Sequence, residues 1–181
     1  MEDNLSVQDI SYEKLSSQLL KDGQVLELIK DNRVAFGVGI DPDDFNGVVV
    51  DGNQIIFEGE WVESTSLRPF IGFSYHHDGN GGKGMRTASF PFEAPINGLH
   101  EIKVSYVASV NRAGNVRYEI EDEKGTAEYF VDQRKLSENN IIWHSLGSFV
   151  FKKGKKYNLR VFNEDTEGYV IVDAAHIIPL D

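Results

Sequence analysis

The sequence predicts a mainly β protein: an antiparallel, jelly-roll-like β-sandwich over residues 47–181, preceded by a short helical leader and linker over 1–46 that would join it to an upstream domain. Three observations predict it. Apolar and polar residues alternate with a period of two through most of the chain after residue 48, the mark of strands with one buried and one wet face. Gly-bearing turns such as Glu123-Lys-Gly125 and Lys153-Gly-Lys155 break these runs at short intervals. The run Asp41-Pro-Asp-Asp-Phe-Asn-Gly47, rich in turn formers, separates them from a first region of different texture.

In chain order, Tyr12, Leu15, Leu19 and Leu20 fall at helical spacing, with Ser11 as cap and Gly23 just past the stop, so 11–20 reads as a short amphipathic helix. Val25, Leu26, Leu28 and Ile29 fit helix or strand. Strands are then expected near 48–50, 54–59, 86–91, 100–109, 115–122, 126–132, 146–152, 157–163 and 169–178. The clearest are Ile102, Val104, Tyr106 and Ala108 against Glu101, Lys103 and Ser105, and Val116, Tyr118 and Ile120 against Arg117 and Glu119. Ala113-Gly-Asn115 suits the hairpin between them. So many short strands imply a sandwich or barrel rather than a parallel α/β sheet.

Composition removes several functions. The 181 residues carry 18 Lys+Arg against 29 Asp+Glu, a formal charge of −11, which disfavours nucleic acid and anionic membrane surfaces. No run reaches the ~18 apolar residues of a membrane span. Without cysteine there is no disulfide, thiolate metal site or cysteine nucleophile. The start is acidic where a signal peptide would be basic and then apolar. An extracellular or periplasmic location is expected only if an exported parent protein carries the targeting signal.

Strand parity locates a site. If successive strands reverse direction, loops 61–85, 110–114, 132–143 and 163–168 share one end, and turns 51–53, 91–98, 122–125 and 152–156 share the other. The first end has the long loops and the unusual side chains; the second has short turns and the solvated Lys152, Lys153, Lys155 and Lys156.

At the long-loop end, Tyr75-His-His-Asp-Gly-Asn-Gly-Gly-Lys-Gly84 is not a phosphate-binding P-loop, because Lys83 precedes Gly84 and the chain enters a strand. His76, His77 and Asp78 make a poor metal site, since neighbours on an extended segment point to opposite faces. Asp78 and Asn80 could instead hold a Gly-rich loop through its amides. Arg112 could meet a ligand hydroxyl or pin its own loop. Trp61 and Trp143, with Tyr75 and Phe70, are candidates for a flat sugar-stacking platform. Asp173, within Tyr169-Val-Ile-Val-Asp-Ala-Ala175, requires a hydrogen bond to a neighbouring loop or a calcium shared with Glu58 or Glu60. No G-x-S-x-G elbow or H-E-x-x-H pattern is present, and with 29 acidic residues chance carboxylate pairs carry no weight.

The chain resembles the golvesin and xanthan-lyase C-terminal-like domains. The matching residues are Gly59-Glu-Trp61 with Ser64-Thr-Ser66, His77-Asp-Gly-Asn80 with Gly82-Lys-Gly84, Asn111-Arg112 with Asn115-Val116, Val131-Asp-Gln-Arg134, Leu146-Gly147, and Gly168-Tyr-Val170 with Asp173-Ala174. The resemblance implies a β-sandwich similar to carbohydrate-binding modules, of a type found at the C-terminus of bacterial FAD-dependent oxidoreductases. It transfers no redox chemistry, because this chain lacks the flavin-binding G-x-G-x-x-G. No cofactor, metal or catalytic residue is therefore expected. The expected role is a non-catalytic accessory module that binds a polysaccharide or packs on an upstream catalytic domain, with Trp61, Tyr75, His77, Asp78, Asn80, Arg112, Asn115, Arg134 and Trp143 as ligand-binding candidates. The alternative is a xanthan lyase-like enzyme using His77 with a carboxylate or Tyr75. A further possibility is that Leu15 and Leu19 form a docking helix.

Overall fold

A computed structural model describes residues 39–136 and 142–180; the helix expected over 11–20 and the cluster at 25–29 lie outside the described residues. Twelve described strands form two facing sheets and a small third one, with every strand pair antiparallel. The four-stranded sheet orders β1 (Val48–Asp51), β12 (Ala174–Pro179), β6 (Gly98–Ser105) and β9 (Trp143–Phe151). The five-stranded sheet orders β2 (Ile56–Glu58), β5 (Thr87–Glu93), β10 (Lys156–Phe162), β7 (Val116–Asp122) and β8 (Gly125–Val131). The third holds β11 (Ile171–Val172), β4 (Tyr75–His77) and β3 (Val62–Ser64). Among the described residues no helix is long and apolar enough to cross a membrane.

The alternation read from the sequence sets the packing. Ile102 and Val104 of β6, Val116, Tyr118 and Ile120 of β7, and Leu159 and Val161 of β10 point inward and are buried, while Arg117 and Glu119 stay at the surface side of β7. Each such apolar side chain withdrawn from water contributes about 1.5–3 kcal/mol, and together with Phe90, Phe151 and Ile177 they join the sheets into one core. A smaller cluster places Trp143 against Phe45, edge-on at 5.2 Å, and His176 at 5.0 Å.

Two local differences have clear causes. β3 and β4 lie within the expected 61–85 loop; with three residues each and no regular alternation, they carry no periodic signal. The expected strand 169–178 divides at Asp173, whose buried carboxylate accepts the Ile71 amide at 3.1 Å and the Ser105 hydroxyl. On either side of it β11 joins the small sheet and β12 the four-stranded one.

Parity holds for the long loops and fails once. β1 runs with β6 because both are antiparallel to β12, and β5 and β6 meet at the 152–155 turn, where Glu93 faces Lys156 and Gly98 faces Phe151. β2 is antiparallel to β5, so β1 and β2 run the same way. The 52–54 turn therefore crosses between sheets without reversing the chain. Residues 51–53 sit against Gly72 of the long first loop, where a Cβ would collide with the Asp51 carboxylate, rather than at the opposite end.

Candidate functional site

The distinctive segments meet at the long-loop end. Arg112 and Tyr169 form a parallel bridge, in which the Ala113 amide donates to the Tyr169 carbonyl at 2.9 Å and the Tyr169 amide to the Asn111 carbonyl at 3.0 Å. The Gln133 amide donates to the Ala113 carbonyl at 3.0 Å, drawing in the loop after β8. Lys83 ties the Gly-rich loop to the turn after β10: its ammonium donates to Asp78 Oδ2 at 2.7 Å, Thr166 Oγ1 at 3.0 Å and the Gly168 carbonyl at 2.6 Å.

Most of the residues nominated from the sequence brace this end. Asp78 is fully buried and accepts from the amides of Asn80 and Val170, each at 2.9 Å. The loop-holding reading is therefore correct for Asp78, and Asn80 lies on the exposed tip with φ 54°. Arg112 is buried, and its Nε donates to the Val107 carbonyl five residues back, pinning its own loop. Arg134 is exposed and spends its fork on Asp132 at 2.7 and 2.9 Å. Asn115 is exposed, with its amide donating to the Asp165 carbonyl at 2.7 Å.

Of the four aromatic platform candidates, three are buried and Trp61 alone is half-buried. Tyr75 is buried, with its hydroxyl bonded to Ser64 at 3.1 Å and Ser66 at 3.0 Å; Phe70 is also in the core. Trp143 is buried on the outer face of the four-stranded sheet, the face of Ser105, His176 and Val49, where Phe45 and His176 cover it. Trp61 is half-buried, with its indole N–H shared between the carbonyls of Glu58 and Thr87 at 3.1 and 3.2 Å. Tyr75→Phe should cost about 1 kcal/mol, the net worth of a hydroxyl held by two serines, read as a lower urea midpoint at unchanged slope.

His76 and His77 diverge, as adjacent residues on a strand must. His77 stands edge-on to Tyr169 at 5.4 Å, and its Nδ1 accepts the Gly79 amide at 3.0 Å. Burial and the nearby Arg112 charge hold its pKa down, against the pull of Asp78. His76 lies on the Phe57 ring at 4.4 Å, on the other side of β4. For proton transfer this is a poor arrangement. The carboxylate beside His77 is committed to Lys83 and two backbone amides, and the Tyr75 hydroxyl faces serines. Asp173 takes the hydrogen-bonded alternative, while Glu58 accepts from Thr87 at 2.8 Å. Among the described residues no three acidic or histidine side chains form a metal-sized group.

Two residues central to the end were not among the nominated ones. Asn163, fully buried, accepts from the amides of Gly84 and Arg86 and donates to Asp78 and to the carbonyls of Gly81 and Gly82. Gln133, also fully buried, donates to the Tyr118 hydroxyl and the Ile171 carbonyl and accepts the Ile171 amide. Both continue the inward phase of their strands one step past the end, after Val161 and Val131 respectively. A polar residue at such a position must find buried partners, and that signal is in the sequence.

An antiparallel sandwich with long loops braced at one end is the fold of carbohydrate-binding modules. A family 35 carbohydrate binding module from Clostridium thermocellum superposes with a TM-score of 0.52 over 74% of this chain and 98% of its own, at 14% identity, and one from Paenibacillus barcinonensis with 0.52 over 74% and 100%, at 13%. At that identity the likeness is one of fold. More specifically, the family model of the Golvesin C-terminal domain matches residues 48–179, and the chain belongs to that family. A xanthan lyase from Bacillus sp. (strain GL1) is 30% identical over 123 residues, 66% of this chain and 13% of the lyase. The Paenibacillus xanthan lyase structure superposes with a TM-score of 0.69 over 74% of this chain and 13% of its own, at 30% identity. The chain thus matches a small part of these much longer relatives.

Proposed function

We propose that this domain is a non-catalytic accessory module that binds carbohydrate at its long-loop end and serves a catalytic domain in a longer protein. One observation carries the reading: loops from four parts of the chain are cross-braced by buried Asp78, Asn163, Gln133 and Arg112, leaving His77, Asn80, Asn115 and half-buried Tyr169 around a rigid rim. Rigid loops lose little entropy on binding, and a rim of ring edges and amide groups suits sugar hydroxyls. Family membership and the shared fold support it. The lyase-like alternative has less support, since His77 lacks an available acid or base partner.

Affinity electrophoresis of the whole chain through gels containing soluble polysaccharides tests the proposal. Retardation is expected on at least one glycan, and the double variant His77→Ala, Asn115→Ala should weaken it about tenfold, as for a contact cluster worth about 1.4 kcal/mol. Absence of retardation throughout would favour packing on the companion domain. Unsaturated sugars released by the wild type but not by His77→Ala would establish the lyase reading.

A further inference from the structure

The two sheets part where β1 and β2 are each the outermost strand, opening a cleft of about 970 Å³ on the His76 side of the β3–β4 hairpin. Its volume is at the upper end of small-molecule sites, about 300–1,000 Å³. We infer that this cleft is a second glycan site, on the opposite side of β4 from the His77 rim and selective for neutral over acidic sugars, because its wall is aromatic and its fixed charges are all carboxylates.

The wall is a short row of rings. Phe57 and His76 lie 4.4 Å apart with their rings tilted by 37°, Trp61 extends the row beyond the cleft at 5.7 Å from Phe57, and Phe73 lines the cleft with 84% of its surface exposed. An aromatic side chain so exposed gains nothing from the fold itself, whereas the apolar C–H face of a sugar ring would cover it. Asp43, Asp51, Asn53 and Gln54 also line the cleft, with Glu63 beside His76 on the hairpin and accepting the Ser74 hydroxyl at 2.6 Å. Carboxylates and amides accept hydrogen bonds from sugar hydroxyls. Asp51 also has one buried carboxylate oxygen without a hydrogen-bond partner.

Charge decides the ligand class. Among the described residues no Lys or Arg lines the cleft, and the chain carries a formal charge of −11. A uronic acid or sulfated sugar would place like charges together in a partly desolvated cleft, which costs affinity; a neutral chain of hydroxyls does not. β4 thus presents His77 to the Tyr169 rim on one side and His76 to the cleft on the other, so the two sites can be separated by mutation.

The experiment uses affinity electrophoresis of the whole chain in gels of galactomannan, hydroxyethylcellulose or polygalacturonate. Phe73→Ala, at an exposed position, should weaken retardation on a neutral glycan about tenfold. Phe73→Trp should preserve it and show an emission shift when that glycan is added. The loop-end variant His77→Ala, Asn115→Ala should retain the Phe73-dependent part. Equal retardation of wild type and Phe73→Ala on both neutral gels would overturn the cleft assignment and leave the long-loop reading standing if the loop-end variant is impaired. Phe73-dependent retardation by polygalacturonate alone would overturn the neutral selectivity. Phe73-dependent binding of oligolysine, with no retardation by any glycan, would assign the cleft to a cationic peptide and overturn the inference.

Discussion

Asp78→Ala is expected to destabilise the domain by about 3 kcal/mol, the low end of the range for removing one partner of a buried ion pair, because the Lys83 side chain is 27% exposed. The carboxylate has no solvent exposure, and it is the acceptor for Lys83 Nζ at 2.7 Å, Asn163 Nδ2 at 3.2 Å and the amides of Asn80 and Val170. Its own carbonyl oxygen takes a guanidinium N–H of Arg86. Alanine would leave two amides without their acceptor and take one of three acceptors from the Lys83 ammonium, which keeps Thr166 Oγ1 and the Gly168 carbonyl. Through Lys83 the effect passes to Thr166 and Gly168, and through Asn163 to the Gly-rich loop. Asp78→Asn keeps an acceptor oxygen and the volume but removes the ion pair, so its cost should be smaller. Urea unfolding at constant pH measures both. A loss below about 1 kcal/mol for Asp78→Ala would mean that other contacts hold the loop end together.

The same residues explain what could be read from the sequence. The alternation in β6, β7 and β10 fixed the sandwich, because a period of two with one wet face admits few other architectures. Parity then gathered the His77, Arg112, Arg134 and Asn163 loops at one end, because hairpin connections reverse direction. It failed at 51–53, where a three-residue 3-10 turn carries the chain between sheets, an event without a periodic signature. Solvent exposure was the harder property to read. Tyr75, Trp143, Asp78 and Arg112 are the residue types of a binding surface, and also the types that satisfy a buried polar interior. Strand phase could separate the two uses for Tyr75, but β4 is too short to show one, and Trp143 is hidden on the outer face of β9 by Phe45, a cover that no periodicity announces. Asp173, Gln133 and Asn163 were legible in principle, since each is a polar residue on the inward phase of an otherwise apolar strand. The cleft lay beyond the sequence because its walls come from β1, β2 and the β3–β4 hairpin, whose proximity follows from that same crossover.

Asp51→Asn should gain stability relative to the wild type as pH rises from about 4 to 7, ending about 2 kcal/mol better placed than at the acid end. Burial pushes the Asp51 carboxyl up to about 6, with the Gly52 amide pulling the other way. Asp173 is raised well above the ordinary range by burial, against the Ser105 hydroxyl, and the Asp51 charge raises it further. A carboxyl whose folded pKa is raised contributes stability that is complete below its unfolded value of 3.8 and is lost as pH rises through about 6. The full shift would correspond to roughly 3 kcal/mol, reduced here because Asp51 keeps some contact with solvent. Other groups act in other directions. Burial lowers the pKa of His76, His77, His144 and His176, so their contribution grows as pH rises through the histidine range. Glu123, drawn down to about 2 first by its hydrogen bond from Lys152 and then by Lys155, loses its contribution only in stronger acid. Subtracting the variant's pH profile from that of the wild type cancels these groups and leaves Asp51 together with the shift its charge causes in Asp173. Urea midpoints at pH 4.5, 6 and 7.5 give the comparison. Parallel profiles would show that Asp51 ionises in the folded chain as freely as in the unfolded one, and that the crossover tolerates the charge at no cost.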